Sequence, residues 1–170
     1  MQDEPLYKYI YKTPDNFSNL VLISDGNYLV GLFFESSKDK TKCCNKNFIF
    51  DQSKFTETIK WLDIYFSGQK PNFIPRYKID NLTPFRNDVI NEIKKIKYGE
   101  TLTYGEISKV LAKKYNIKKM SAQAVGGAVG WNPICLIIPC HRVIGSNYKL
   151  IGYGGGIQNK SELLKLETKK

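Results

Sequence analysis

A chain of 170 residues, 42% hydrophobic and 25% charged, is long enough to bury a core and is neither disordered nor fibrous in composition. Its longest apolar runs, such as Leu29 to Phe34 and Ile134 to Pro139, are far shorter than the roughly 20 residues of a membrane span, and the acidic start Met1 to Pro5 lacks the charged and apolar regions of a signal peptide. The net charge of +10 is uneven, +2 over residues 1–79 and +8 over residues 80–170, which favours a polyanionic partner such as nucleic acid or reflects only a lysine-rich surface.

In the first half, Phe17 to Ser24 and Tyr28 to Glu35 are β-prone runs separated by Asp25-Gly26-Asn27, a hairpin signal, and Asn47 to Phe50 adds a short strand after the polar stretch Lys38 to Asn47. Thr56 occupies an N-cap-like position before a helix whose apolar face is Ile59, Leu62, Ile64, Tyr65 and Phe66, ending at Gly68. Pro71, Pro75 and the extended stretch to Asp80 read as a linker. The expected organisation is an α+β chain, with an N-terminal α/β domain over residues 1–79 and a mainly helical domain over residues 80–170.

In the second half, Thr83-Pro84 starts a helix with the stripe Phe85, Val89, Ile90, Ile93 and Ile96, and Gly99 ends it. Thr103 and Glu106 form a capping box for a helix through Ile107, Val110 and Leu111. Asn116-Ile117 make a turn into a further helix, Met120 to about Val129, so the order is that of a helix-turn-helix. This last helix, from Ser121 through Gly130, is almost entirely small residues. Glycine inside a helix costs roughly 1 kcal/mol relative to alanine, so the pattern serves either tight packing against a neighbour or close approach to another backbone, such as a DNA strand. Gly152-Tyr153-Gly154-Gly155-Gly156 fits neither a P-loop nor a dinucleotide fingerprint and reads as a mobile loop over a pocket. A closing helix, Gln158 to about Leu166, turns Leu163, Leu164 and Leu166 inward and ends with Glu167.

The chemistry concentrates in Asn132-Pro133-Ile134-Cys135-Leu136-Ile137-Ile138-Pro139-Cys140-His141-Arg142-Val143, which reads as a buried strand delivering a thiol to a cleft. Thiolate is the nucleophilic form of cysteine, and the adjacent His141 is the sole histidine of the chain. Side chains of neighbouring residues on an extended segment point to opposite faces, so a bridging water suits this pair better than direct contact. That geometry also disfavours a cysteine hydrolase built on Cys140, His141 and Glu167. The four cysteines, Cys43, Cys44, Cys135 and Cys140, have no regular spacing and imply free thiols in a reducing, intracellular compartment. With Cys43 and Cys44 adjacent and one histidine present, no metal site is expected.

Tyr98-Gly99-Glu100-Thr101-Leu102-Thr103-Tyr104, Ala124-Val125-Gly126-Gly127-Ala128, Asn132-Pro133, Ile138-Pro139-Cys140-His141-Arg142-Val143 and the tail Lys160, Leu163, Leu164, Glu167 together resemble the O6-alkylguanine-DNA alkyltransferases. The match runs from Thr83 to Glu167. The N-terminal half matches in outline, as a small antiparallel sheet and a helix ending Tyr65-Phe66-Ser67-Gly68, similar to the family's ribonuclease-H-like domain. The resemblance implies a winged-helix-like C-terminal domain and a single-turnover transfer of the alkyl group from O6-alkylguanine in double-stranded DNA to Cys140, after base flipping, by a monomer without cofactor. It implies a water link from Cys140 to His141, orientation of His141 by Glu167, and ordering of the site by Asn132. Tyr104 corresponds to the tyrosine that hydrogen-bonds guanine N3, the carbonyls of Cys140 and Val143 to acceptors for the exocyclic amine, and Tyr153 and Gly154 to the loop closing over the base.

Ser121, Ala122, Gln123, Ala124 and Gly126 correspond to the minor-groove helix, with Lys113, Lys114, Lys118, Lys119 and Arg142 as a group of phosphate partners. The chain departs from the family at three positions. Gln123 stands where an arginine usually fills the gap left by the flipped base, Gly154 stands where some members have serine but keeps the backbone amide, and Cys135 stands on the pocket wall where proline is common. A DNA-binding module without transfer is the rival reading; members of that kind lack the cysteine that this chain has at 140.

Overall fold

The structure, a computed structural model, describes residues 4–37 and 47–168. The polar stretch up to residue 46, with Cys43 and Cys44, lies outside the described residues. Among those described, no helix is long and apolar enough to cross a membrane.

Four strands form the N-terminal sheet: β1 (Leu6–Tyr11), β2 (Leu20–Ser24), β3 (Leu29–Phe34) and β4 (Phe48–Phe50), in the order β3-β2-β1-β4. The hairpin is as expected. The Asp25 carboxylate accepts from the backbone N–H of Asn27 (2.8 Å) and Tyr28 (2.7 Å), and Gly26 takes the left-handed φ of 103° that this turn needs. β1 was not foreseen, because a loop rather than a tight turn joins it to β2. That loop is tied by Thr13, whose hydroxyl donates to the Ser18 carbonyl at 2.9 Å. β4 pairs parallel to β1, while the other pairings are antiparallel. Leu20, Leu22, Leu32 and Phe34 face inward with no exposure, at about 1.5–3 kcal/mol of burial each. Against this core lies α1 (Thr56–Phe66), with Trp61, Leu62 and Tyr65 buried. Its N-cap is Phe55, without a side-chain cap, and not Thr56, which already has helical geometry.

The stretch read as a linker is part of the sheet's edge. Leu29 donates to the Arg76 carbonyl (3.0 Å) and accepts from the Lys78 N–H (2.9 Å), a parallel bridge to Tyr77. Further along the same edge, Leu32 donates to the Pro133 carbonyl and accepts from Cys135, both at 2.9 Å. The free edge of β3 is thus covered by the 76–78 stretch and by the Pro133 to Cys135 segment of the other half, which satisfy its backbone groups and fix the cysteine loop to the sheet.

In that half, α2 (Pro84–Lys94) begins at Thr83 as expected, and α3 (Tyr104–Lys114) carries both bonds of the Thr103–Glu106 capping box. Val110 faces outward, 47% exposed, while Ile107 and Leu111 pack inside. Asn116 turns the chain with φ 54° into α4 (Ala122–Gly130), capped by Ser121 and packed on α2 and α3. A parallel pair of short strands, β5 (Leu102–Thr103) and β6 (Val143–Ile144), ties the start of α3 to the segment after the cysteine. The inward face of α5 (Ile157–Thr168) carries Asn159, Lys160, Leu163 and Glu167, at helical spacing. Leu164 and Leu166, expected inside, are half-buried beside that stripe. The inward face of this helix is therefore largely polar, and its polar groups build the site.

Candidate active site

The segment ending at Cys140 is a folded loop and not the strand its apolar run suggests. It pairs with β3 through a single bridge centred on Ile134, then reverses: Leu136 takes φ 66°, Ile138 donates to Ile134 (3.1 Å) and Ile137 to Cys135 (2.8 Å). Asn132 holds the reversal from within. Its amide donates to the Ile138 carbonyl at 2.9 Å and its oxygen accepts from Ile134 N–H at 3.0 Å. Cys140, His141 and Arg142 then form a 3-10 turn, so the Cys140 and His141 side chains diverge on a tight helical turn instead of alternating along a strand.

Cys140 is 3% exposed at the wall of a cavity of ≈ 380 Å³ shared with Asn132, Cys135 and Gly152 to Gly155, and bounded on the sheet side by Ile23, Gly31 and Phe33. The thiol pKa is lowered. A hydrogen bond from the Cys135 side chain contributes most, burial opposes it, and Asn132 and the Lys160 charge add to the lowering.

Behind the thiol lies a closed network. His141 has no exposure, and its Nε2 is 2.8 Å from Glu167 Oε1. The same carboxylate accepts from the Tyr65 hydroxyl at 2.9 Å and from Arg142 Nε and Nη2 at 2.9 and 2.8 Å. Burial works against the Glu167 charge, but the hydrogen bonds from His141 and Arg142 outweigh it and hold its pKa at about 2. Burial also depresses the His141 pKa, against the pull of Glu167. An ionised carboxylate only accepts, so a neutral His141 carries its proton on Nε2. Its Nδ1, buried and without a hydrogen-bond partner among the described residues, is left as a bare base.

Arg142, expected at phosphate, is therefore an internal residue. It is paired with Glu167, donates to the Ile96 carbonyl at 2.8 Å, and its side chain is 11% exposed. Its guanidinium neutralises a carboxylate that would otherwise be buried with only neutral donors. Tyr65 and Lys160 carry parts of the site that were not singled out as functional in the sequence. Lys160 has no exposure. Its ammonium donates to the carbonyls of Val143 (2.5 Å) and Ile151 (3.2 Å) and lies 5.7 and 5.8 Å from the rings of Tyr104 and Tyr153, and burial lowers its pKa to about 8. The one available signal was a lysine on the same helical stripe as Leu163 and Glu167.

Tyr104 opens α3, and its hydroxyl donates to the Ile151 carbonyl at 3.1 Å; burial, then the nearby Cys140, raises its pKa to about 12. The glycine loop is held at both ends. Lys160 and Tyr104 fasten Ile151, and Asn159 donates to the Gly155 carbonyl at 2.6 Å. Tyr153 and Gly154 line the cavity, whereas Val143 and Tyr104 are not among its lining residues.

On the outer surface, Ser121, Ala122, Gln123 and Ala124 are exposed on the first turn of α4. A Cβ at Gly126 would meet the Tyr104 ring at an ordinary 3.9 Å, and one at Gly127 or Gly130 would meet nothing within 4 Å among the described residues beyond the helix's own backbone and the adjoining residues. Internal packing therefore does not require these glycines. Beside α4, a surface depression is lined by Lys109, Lys113, Lys118 and Lys119; Lys114 instead pairs with Asp88 at 2.5 Å.

The chain is similar to known proteins. Residues 84–169 match the family described as 6-O-methylguanine DNA methyltransferase, DNA binding domain, and residues 6–74 match its ribonuclease-like domain. A methylated-DNA--protein-cysteine methyltransferase of Methanosarcina acetivorans is 36% identical over 162 residues, 95% of this chain and 98% of that protein. One of Mycobacterium tuberculosis is 36% identical, over 94% of this chain and 93% of its own. The crystal structure of the Mycobacterium tuberculosis O6-methylguanine methyltransferase superposes with a TM-score of 0.78 at 35% identity, covering 95% of this chain and 92% of that one, and a structure of the mycobacterial protein in complex with DNA gives 0.77 at 34% identity, covering 95% and 91%. With a buried thiol, a carboxylate-held histidine and both matched domains in order along the chain, this protein belongs to the 6-O-methylguanine DNA methyltransferase family.

Proposed function

We propose that this protein repairs DNA by direct reversal, moving the alkyl group from the O6 oxygen of guanine to the sulfur of Cys140. The observation that carries the reading is the buried Cys140 thiol at a cavity wall, next in the chain to a buried histidine whose Nδ1 has no hydrogen-bond partner among the described residues.

Cys140 loses its proton through a bridging water to His141 Nδ1, while Glu167 holds the ring through Nε2 and stabilises the imidazolium. The sulfur attacks the alkyl carbon in line with the carbon–oxygen bond, the S–C bond forms as the C–O bond breaks, and the electron pair leaves on guanine. Tyr104, giving up its bond to Ile151, stabilises that anion by donating to guanine N3, and burial amplifies the effect. The carbonyls of Cys140 and Val143 accept from the exocyclic amine. The Val143 carbonyl already holds Lys160, so its second lone pair serves the base. The thioether product offers water no leaving group, and each molecule acts once.

The substrate is double-stranded DNA, met by a monomer through residues 80–170. The target base leaves the stack at a cost of a few kcal/mol. Ser121 to Gly127 enter the minor groove, where Gly126 and Gly127, which the protein's own packing does not need, allow close backbone approach, and Gln123 replaces the flipped base. Phosphates are met by Lys109, Lys113, Lys118 and Lys119, not by Arg142. Tyr153 and Gly154 close over the base, and Cys135 forms part of the wall facing the alkyl group.

The test uses duplex DNA carrying a radiolabelled O6-methylguanine. Label should move to the protein in a one-to-one ratio and be lost with Cys140→Ser. Intact protein that takes no label refutes the reading, and labelled Cys140→Ser refutes the acceptor.

A further inference from the structure

Cys135 is a second thiol at the wall of the same cavity as Cys140. The loop between them doubles back, with Asn132 bonded to both Ile134 and Ile138, so five residues of chain return the backbone toward its start. The Cys135 sulfur lies 4.0 Å from the Asn132 carbonyl, and its side chain is near enough to that of Cys140 to be the largest influence lowering the Cys140 pKa. Alkyl transfer uses only one of these thiols.

We propose that Cys135 and Cys140 form a reversible intramolecular disulfide, with Cys135 resolving a Cys140 that has been oxidised by a hydroperoxide. The Cys140 thiolate attacks the terminal peroxide oxygen, forming an S–O bond and breaking O–O, and gives the sulfenic acid and an alcohol or water. The Cys135 sulfur then attacks the sulfenic sulfur; an S–S bond forms, the S–O bond breaks, and the Cys135 proton leaves with the hydroxyl as water. Two thiols have lost two electrons and two protons to one peroxide. A dithiol reductant returns both. The depressed pKa of Cys140 favours the first step, because thiolate is the reacting form.

The consequence is specific to an acceptor that is consumed by one turnover. Without a resolving thiol, a second peroxide converts the sulfenic acid irreversibly to sulfinic acid. With Cys135 alongside, the acceptor is instead held as a disulfide, unable to take an alkyl group until reduced. The disulfide chemistry stands apart from alkyl transfer, and its readout needs no DNA.

The full chain is treated with hydrogen peroxide, its free thiols are blocked with iodoacetamide, and it is digested with trypsin. Cys135 and Cys140 fall in one peptide, residues 120–142, and Cys43 and Cys44 in another, residues 43–46. The expected result is a 120–142 peptide lacking two hydrogens and unblocked by iodoacetamide, restored by dithiothreitol together with its reactivity. In Cys135→Ser the same peptide should gain two oxygens at Cys140 and resist dithiothreitol. Gain of oxygens in the unmutated protein without loss of hydrogens, or a bridge from Cys140 to peptide 43–46, overturns the proposal. Label transfer by the reduced protein tests the repair reading separately.

Discussion

Replacing Glu167 by glutamine removes one charge from the network behind the thiol while keeping its shape. The glutamine oxygen still accepts from Tyr65 and His141, but the Arg142 guanidinium loses its counter-charge while 11% exposed. The carboxylate is held at about 2 against an ordinary 4.5, and that displacement corresponds to ~3 kcal/mol of folded-state preference for the ionised form. Breaking a buried pair from one side costs about 3–5 kcal/mol by a different route, so both considerations predict a loss near 3 kcal/mol at neutral pH. The folded pKa lies below the unfolded one, so the contribution is complete above about pH 5 and disappears as pH falls through about 2. Glu167→Gln lacks it throughout. Urea denaturation should therefore show a gap between the two proteins that is widest near neutrality and narrows steadily in acid. A neutral-pH gap under about 1 kcal/mol, or one that keeps its size at about pH 3, refutes the argument.

Three further substitutions probe other parts of the structure. Gly127→Ala places a methyl group where nothing lies within 4 Å, so thermal unfolding should show a gain of about 0.5–1 kcal/mol, while anisotropy titration should show weaker duplex binding; unchanged binding would remove α4 from the DNA interface. Gly155→Ala should destabilise by about 1–3 kcal/mol, because its Cβ would fall 2.7 Å from Phe34 and 2.9 Å from the Tyr153 ring, and equal denaturant midpoints would show that the loop yields freely. Gln123→Arg should tighten binding to DNA carrying O6-methylguanine in the same titration, and unchanged or weaker affinity would show that this side chain does not fill the gap.

The local code of this chain is strong wherever structure depends on neighbours in sequence. The Asp25-Gly26-Asn27 hairpin, the Thr83 and Thr103 caps, the helix-turn-helix order and the adjacency of Cys140 and His141 follow from residue types at short spacing, whereas the grouping of Asn132 and Glu167 with that pair was implied by the family resemblance. Tertiary structure decided what adjacency cannot encode. The apolar run Ile134 to Ile138 looks like a strand but has only the β3 edge to pair with at one point, so it folds back under the control of the Asn132 side chain. Arg142 reads as a surface cation until α5 brings Glu167 beside it from 25 residues away, and a buried carboxylate then takes precedence over solvent or phosphate. Lys160 is inside for the same reason, because the carbonyls of Val143 and Ile151 converge on it from separate segments. Residue type and adjacency were enough to single out Cys140 as the candidate thiol. Which charges stand with it inside depended on segments far apart in the chain meeting in a low-dielectric interior, where a buried charge persists only with partners that the fold supplies.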